Sequence, residues 1–283
     1  MARYYEKLKD DTVHCLLCPH DCHIKNGQRG ICGVRKNTDG DLYAESYGLI
    51  SSLALDPVEK KPLYHFYPGS RILSVGSYGC NFRCSFCQNY SISMEKPGTV
   101  YVTPEELADK ALELKKANNI GLAFTYNEPL INFEYVMDCC KLSKEKGLKN
   151  ALITNGYIQQ EPLKELLPYI DAMNIDLKSF SQEFYQKMCG GKVEFVKKTI
   201  ETASQACHVE ITTLIIPGLN DNEKEIEDLA QWLADISPEI PLHLTRFFPR
   251  YKMTDKEPTP VKTLEKLFNT ARKHLKHVHL GNV

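Results

Sequence analysis

From residue 71 onward the chain alternates short apolar strands with amphipathic helices, and this alternation leaves few folds open to it. "RILSVGS" (71–77) reads as a buried strand. A helix is expected over 103–119, with Thr103 as N-cap, Pro104 at the first helical position, and Leu107, Ala108, Ala111, Leu112 and Leu114 along one face. Further strands are expected at 120–125, 149–154, 172–177, 208–216, 242–247 and 277–282. Helices within 129–146, near 161–168, 182–188 and 193–205, around 222–236 and over 261–275 separate them. Strand–helix–strand units cross over right-handedly and build a parallel sheet. The expected architecture is therefore α/β, a partial (β/α)6 parallel barrel over residues 71–283. Residues 1–70 lack the alternation: "KNGQRG", "NTDGD", "LDPVEKKP" and "YPGS" punctuate an irregular, cysteine-rich N-terminal extension.

In parallel barrels the reactive groups stand at the carboxyl ends of strands. The least ordinary residues here fall at such ends. Cys80–Cys87 follow the first strand and "TYNEP" the second; "TNG" closes the third and "DLK" the fourth; "IPGLND" and "TRFFPR" follow the fifth and sixth. One face of the barrel is expected to collect them.

Bulk charge is nearly balanced, with 35 Lys plus Arg against 36 Asp plus Glu, so neither nucleic acid nor a membrane surface is indicated as a partner. The amino terminus "MARYYEKLKD" has no apolar leader, and no run approaches the roughly 18 apolar residues of a membrane span. A cytoplasmic protein is expected. Eleven cysteines in a reducing compartment point to metal or cluster binding rather than to disulfides. Seven fall in two groups; Cys139, Cys140, Cys189 and Cys207 read as small buried hydrophobes.

The group Cys80, Cys84 and Cys87 has the spacing C-x3-C-x2-C, with neither a fourth cysteine nor a histidine close behind. A closed zinc site needs four ligands, and the nearest candidates, His65 and Cys32, lie well upstream. Three thiolates suit a [4Fe–4S] cube with one iron left open to a substrate or cofactor. The rival reading is zinc completed by a distant ligand.

With Phe86 before Cys87, this stretch resembles the C-x3-C-x-aromatic-C signature of the radical S-adenosylmethionine (SAM) superfamily. The resemblance implies a [4Fe–4S] cluster whose open iron chelates the amino and carboxylate groups of SAM. Reductive cleavage then yields a 5'-deoxyadenosyl radical that abstracts hydrogen from the substrate, and a one-electron donor such as flavodoxin or ferredoxin is implied.

Over residues 71–250 the likeness narrows to activases of glycyl-radical enzymes, of the pyruvate formate-lyase-activating type. Their Gly-Gly-Glu-Pro segment looks like Tyr126, Asn127, Glu128 and Pro129 here, with Asn127 where a glycine is usual. Their Thr-Asn-Gly is Thr154, Asn155 and Gly156, and their Asp-x-Lys is Asp176, Leu177 and Lys178. By this likeness Lys178 meets the SAM carboxylate, and Asp176 or Glu128 its ammonium; such charge-assisted bonds are the strong ones. Those activases also bind a monovalent cation through an Asp beside the Thr, where Ile153 stands here. Over nearly the whole chain, "CLLCPHDC", "DPVEKKPLYHFYPGS", "CQN", "TYNEP", "LTRFFPRYKM" and "GNV" look like the radical enzymes of the AmmeMemoRadiSam system.

The second group, Cys15, Cys18, Cys22 and Cys32, is C-x2-C-x3-C-x9-C on a turn-rich stretch. Four thiols there fit a small tetrahedral zinc site that folds a segment lacking its own core, or an auxiliary iron–sulfur cluster, or unmetallated thiols. Arg246, at the end of a barrel strand, is a candidate anchor for an anionic substrate group or for the SAM carboxylate, against a structural ion pair. His243 reads as a packed core histidine, and His277 and His279 carry no assigned chemistry.

Three functions follow from this reading. The favoured one is a radical enzyme that abstracts hydrogen from a peptide or protein partner. The second acts on a small molecule or nucleotide, and the third is a non-catalytic iron–sulfur electron carrier. A carrier would have no use for "TYNEP", "TNG" and "DLK" at strand ends, and it would fill all four iron positions with protein ligands.

Overall fold

The computed structural model describes residues 1–283. The N-terminal part is built from short strands: β1 (Tyr5–Lys7), β2 (Val13–Cys15), β3 (Cys22–Ile24), β4 (Arg35–Thr38), β5 (Asp41–Ala44) and β6 (Leu49–Ile50). After them come β7 (Ser52–Pro57), β8 (Arg71–Gly76), helix α1 (Tyr90–Ser93), β9 (Val100–Tyr101), α2 (Pro104–Glu113) and β10 (Asn119–Phe124). The alternation continues with α3 (Phe133–Glu145), β11 (Lys149–Thr154), α4 (Gln160–Leu166), β12 (Ala172–Asp176), α5 (Gln182–Phe184) and α6 (Val193–Ala203). It closes with β13 (His208–Ile215), α7 (Glu223–Ile236), β14 (Leu242–Arg246), α8 (Val261–Ala271) and β15 (Val278–Gly281).

The main sheet has eight strands in the order β15-β14-β13-β12-β11-β10-β8-β7. All pairs are parallel except β7 with β8. β7 and β15 are the two edges, so the barrel is partial, as expected. The alternation produces this directly: each strand exposes its apolar residues to both faces and each helix covers the outer one. Leu73, Val75, Leu122, Phe124, Leu152, Met173 and Ile175 pack outward with the helices in one large core. On the other face Ile72, Ala123, Ala151 and Ala172 pack with Val58, Leu63 and Phe66. The small alanines leave room for the segment after β7 to fill the barrel's inside.

Two features differ from the sequence reading. The sheet begins at Ser52, upstream of residue 71, because "SLALDP" alternates with period two and pairs along its whole length with β8. Residues 1–50 are also more ordered than an irregular extension: β1-β2-β3 form one antiparallel sheet and β4-β5 another. Their strands are two to four residues long, too brief for periodicity to reveal. Elsewhere the helices end earlier than expected. α2 gives way to a 3-10 turn at Leu114–Ala117, stopped by Asn118 in the left-handed region at φ 65°. The predicted helix over 182–188 is one short turn followed by a π-turn, Tyr185–Cys189.

Candidate functional site at the carboxyl ends of the strands

The loop after β8 carries Cys80, Cys84 and Cys87, all free thiols. Phe82 N–H donates to Cys80 Sγ at 3.3 Å, and Asn155 Nδ2 reaches the same sulfur at 3.6 Å. The Cys87 sulfur faces the backbone N–H of Asn89 and the Ser93 hydroxyl. Burial, then the charges of Glu128 and Cys84, push the Cys80 thiol well up. A hydrogen bond with Cys189, then burial, does the same at Cys84. No three cysteine, histidine or carboxylate side chains of the chain stand in a finished metal-ligand arrangement. The three thiols are nonetheless neighbours whose charges act on one another.

The "TYNEP" segment leaves β10 with Tyr126 in the left-handed region at φ 72°. Its hydroxyl donates to Asp56 Oδ2 at 2.8 Å, where Lys61 Nζ also donates at 2.8 Å. Asn127 uses its side chain fully. Oδ1 accepts from Ser77 N, and Nδ2 donates to the carbonyls of Tyr78, Gly79 and Glu128. A glycine there could make none of these bonds, so Asn127 ties the second strand's loop to the stretch leading into Cys80. Glu128 is buried and accepts three hydrogen bonds, from Thr154 Oγ1 and Asn155 N at 2.7 Å and from Leu130 N at 2.9 Å. Burial outweighs these donors and lifts its carboxyl to about 7. Thr154 in turn accepts from Gly156 N, and Asn155 Nδ2 donates to Asn81 Oδ1 at 2.9 Å. One network therefore joins the loops after β8, β10 and β11.

Past β12, Lys178 Nζ donates to Asp176 Oδ2 at 3.0 Å and lies 5.9 Å from the Phe86 ring centre. Burial works against the ammonium charge, but Asp176 and the thiols of Cys84 and Cys189 hold it, leaving Lys178 more basic than usual. The Asp176 side chain is 35% exposed and that of Lys178 is 16% exposed. Arg246 stands farther along the same edge, at the end of β14. Its Nε donates to the Thr259 carbonyl at 2.8 Å, and its guanidinium stacks over Phe248. Ile153 packs against the inner hydrophobic cluster.

Three participants escaped the sequence reading. Cys189 is buried beside Cys84 as a free thiol, and its carbonyl accepts from Arg83 N at 2.8 Å. The signal was "CGG" (189–191): a Cβ at Gly191 would lie 2.4 Å from the Phe82 ring, so the segment must press on the cysteine loop. Asn89 donates to the Tyr126 carbonyl at 2.8 Å. The Asp56–Lys61 pair, in which Lys61 is buried, supports Tyr126. A cleft of about 770 Å³ lies at the other end of the strands, where residues such as His208, Val209, Ile240 and Pro241 line it.

Comparison with known proteins bears on this arrangement. Residues 74–233 match the Radical SAM superfamily. An uncharacterized protein of Methanocaldococcus jannaschii is 45% identical over 288 residues, spanning 100% of this chain and 85% of the relative. The pyruvate formate-lyase-activating enzyme of Clostridium pasteurianum is 31% identical over 173 residues, covering 60% of this chain and 71% of that enzyme. A radical SAM methyltransferase from Sphaerobacter thermophilus shares the fold, with a TM-score of 0.60 at 16% identity over 76% of this chain and 67% of that one. With thiols, "NEP", "TNG" and "DLK" gathered on one edge of a parallel sheet, this chain belongs to the radical SAM superfamily and is similar to pyruvate formate-lyase-activating enzymes.

Proposed function

We propose that this chain abstracts hydrogen from a peptide or protein partner, in the manner of a glycyl-radical-enzyme activase, with Cys80, Cys84 and Cys87 as the cluster ligands. The family's cofactors are a [4Fe–4S] cluster and SAM. The donor set fits such a cluster: three free thiols, backbone N–H groups aimed at two of the sulfurs, and the nearby fourth thiol, Cys189, engaged with Cys84. When bound, the reduced cluster and SAM supply a hydrogen-abstracting carbon radical.

The chain's own residues hold and orient. Glu128 already accepts three hydrogen bonds, so it braces the loops that carry Thr154 and Asn155. Asp176 is the carboxylate left open to the SAM ammonium, and Lys178 the cation for its carboxylate. Phe86, Tyr126 and Arg246 complete the cradle, and Asn127, its side chain spent on residues 77–79 and Glu128, braces the loop behind it. The single observation that carries this reading is the bonded network from Cys80 through Asn155 to Glu128 and Thr154. It serves no purpose in a simple electron carrier.

Within the superfamily we assign the chain to the AmmeMemoRadiSam-system enzymes, whose "DPVEKKPLYHFYPGS" here supplies Asp56, Lys61, Leu63 and Phe66 to the inside of the barrel. A flavodoxin or ferredoxin is the proposed electron donor, in a reducing cytoplasm that keeps all eleven cysteines out of disulfides. No helix is long and apolar enough to cross a membrane.

The test is anaerobic reconstitution followed by assay of reductant-dependent 5'-deoxyadenosine with deuterated candidate peptides. Deuterium carried from a peptide into 5'-deoxyadenosine is the expected result. Transfer only from small molecules or nucleotides would overturn the partner class, and SAM binding without cleavage would overturn the reaction.

A further inference from the structure

The four N-terminal thiols are not absorbed by that function; they are free and are drawn together by the β2–β3 hairpin and the turns after it, short of a finished ligand arrangement. Cys15 and Cys22 stand directly opposite each other across the β2–β3 hairpin. Directly opposed positions bring Cβ atoms to about 4.5–5.5 Å. The edge of a tetrahedron with zinc–sulfur bonds of about 2.3 Å is about 3.8 Å, a span that such a pair of sulfurs can make. Cys18 and Cys32 complete the group: Cys18 feels the charge of Cys32, Cys15 and Cys22.

The backbone N–H groups of His20, Ile31, Val34 and Arg35 lie near three of the sulfurs, those of Cys18, Cys22 and Cys32, and favour their thiolate forms. The i to i+2 pattern of Cys18–His20 and Cys32–Val34 is also that of Cys80–Phe82 and Cys87–Asn89 in the barrel loop. Such donors are the outer partners that thiolate ligands require.

Arg35 is a second, independent sign. It is 1% exposed, it lies beside Cys15 and Cys32, and its Nε has no hydrogen-bond partner. Its Nη groups donate to Glu134 at 3.1 and 3.3 Å and to the Arg3 carbonyl, so its charge is already paired and the Nε donor alone is left unspent. A thiolate is an acceptor for that remaining donor, which a neutral thiol satisfies only weakly. Residues 1–50 are short strands that share the main core through Val13, Leu17, Ile24 and Leu42, and Cys18 and Cys32 lie in the turns that this packing leaves without regular pairing.

We propose that Cys15, Cys18, Cys22 and Cys32 bind one zinc ion as four thiolates, and that this site fastens the N-terminal layer to the loop carrying Cys80, Cys84 and Cys87. Binding releases the thiol protons to solvent and needs no redox partner. The fastening is visible in three contacts. A Cβ on Gly79, which sits at φ +83°, would lie 2.8 Å from the Cys32 carbonyl. His20 Nε2 donates to the Asn81 carbonyl at 2.6 Å, and the Arg83 guanidinium donates to the Ile31 carbonyl. The site stands whatever the substrate of the barrel is.

The full chain, produced with zinc and reconstituted anaerobically, is expected to hold one zinc beside about four irons. X-ray absorption at the zinc edge should show four sulfurs at about 2.3 Å. Cys18→Ser with Cys22→Ser should lose the zinc and keep the iron, while Cys207→Ser keeps both. Chelating the zinc from the wild-type chain should speed hydrogen exchange across residues 79–83 at least tenfold. About eight irons without zinc, a nitrogen- or oxygen-rich zinc shell, or zinc kept by the double variant would overturn the site. Unchanged exchange at 79–83 after zinc removal would overturn the fastening. If the double variant is insoluble, the absorption spectrum of the wild-type chain decides alone.

Discussion

The two cysteine groups lie against each other yet are framed for opposite tasks. Cys80, Cys84 and Cys87 sit on a loop at the carboxyl edge of a parallel sheet, with Asn155 and Lys178 beside them. Cys15, Cys18, Cys22 and Cys32 sit on a hairpin and its following turns, closed in by the buried Arg35. Both groups receive backbone N–H groups at their sulfurs. What differs is the number of thiols and the polar groups around them. Three thiols leave a position for a cofactor, and the barrel surrounds that position with side chains able to bind one. Four thiols leave none, and on the proposed zinc site their neighbours fasten the N-terminal layer to the barrel loop.

The largest expected effect lies on the open group. Cys84→Ala should reduce reductant-dependent 5'-deoxyadenosine to background, because two thiolates cannot hold the cube and leave one iron free. Activity at wild-type level in this variant would sink the distinction between the groups.

A region without thiols in its network supplies the next test. At the amino ends of β13 and β14, Glu210 accepts from His208 Nε2 at 2.9 Å, His243 Nε2 at 2.6 Å and His65 N at 2.8 Å. Burial pushes its carboxyl up, but these hydrogen bonds outweigh it and hold the group at about 2, below the ordinary 4.5. A depressed carboxyl contributes stability above its unfolded value and loses it as pH falls through the folded one. The window is therefore about pH 4.5 down to about 2, and the loss is on the order of 3 kcal/mol. Glu210→Gln should flatten the acid limb of the stability curve in that window. An unchanged acid limb would remove Glu210 from the account.

On the proposed clamp, Lys178→Ala should remove one charge-assisted contact to SAM, about 1.5–3 kcal/mol, or roughly tenfold to a hundredfold in affinity. Asp176→Asn should cost less, because Asp176 also neutralises Lys178. Cluster absorbance should persist in both, since neither residue is a thiolate. Equilibrium binding of SAM to the anaerobic protein measures this, and wild-type affinity in both variants would point instead to Asn155 and Arg246.

The smallest effect is at Asn127, which joins the barrel loop to its neighbour. Asn127→Gly restores the residue usual in the activases and deletes the hydrogen bonds to Ser77, Tyr78, Gly79 and Glu128. A destabilisation of about 1–2 kcal/mol is expected, read by denaturant unfolding with the cluster in place. A neutral result would show that backbone contacts alone hold residues 77–79.

Much of this molecule was legible from residue order because the determinants are local. The strand–helix alternation needs only period and capping, as at Thr103, whose side chain accepts from Glu106 N at 3.1 Å. The spacing of Cys80, Cys84 and Cys87 and the "TNG" and "DLK" segments at strand ends are likewise visible one residue at a time. β7 was hidden because "LDPVEKKP" reads as a turn while its pairing partner, β8, lies more than a dozen residues away. Cys189 looked like an ordinary buried thiol, since only the π-turn and Gly191 carry it to Cys84. Lys178 and Glu128 were nameable as residues, but their roles were decided by partners 26 or more positions distant in the case of Glu128, and by burial beside two thiols in that of Lys178. Arg35 beside Cys15 and Cys32 was wholly out of reach. A charge on a short strand carries no mark of being buried until tertiary packing has removed water from around it.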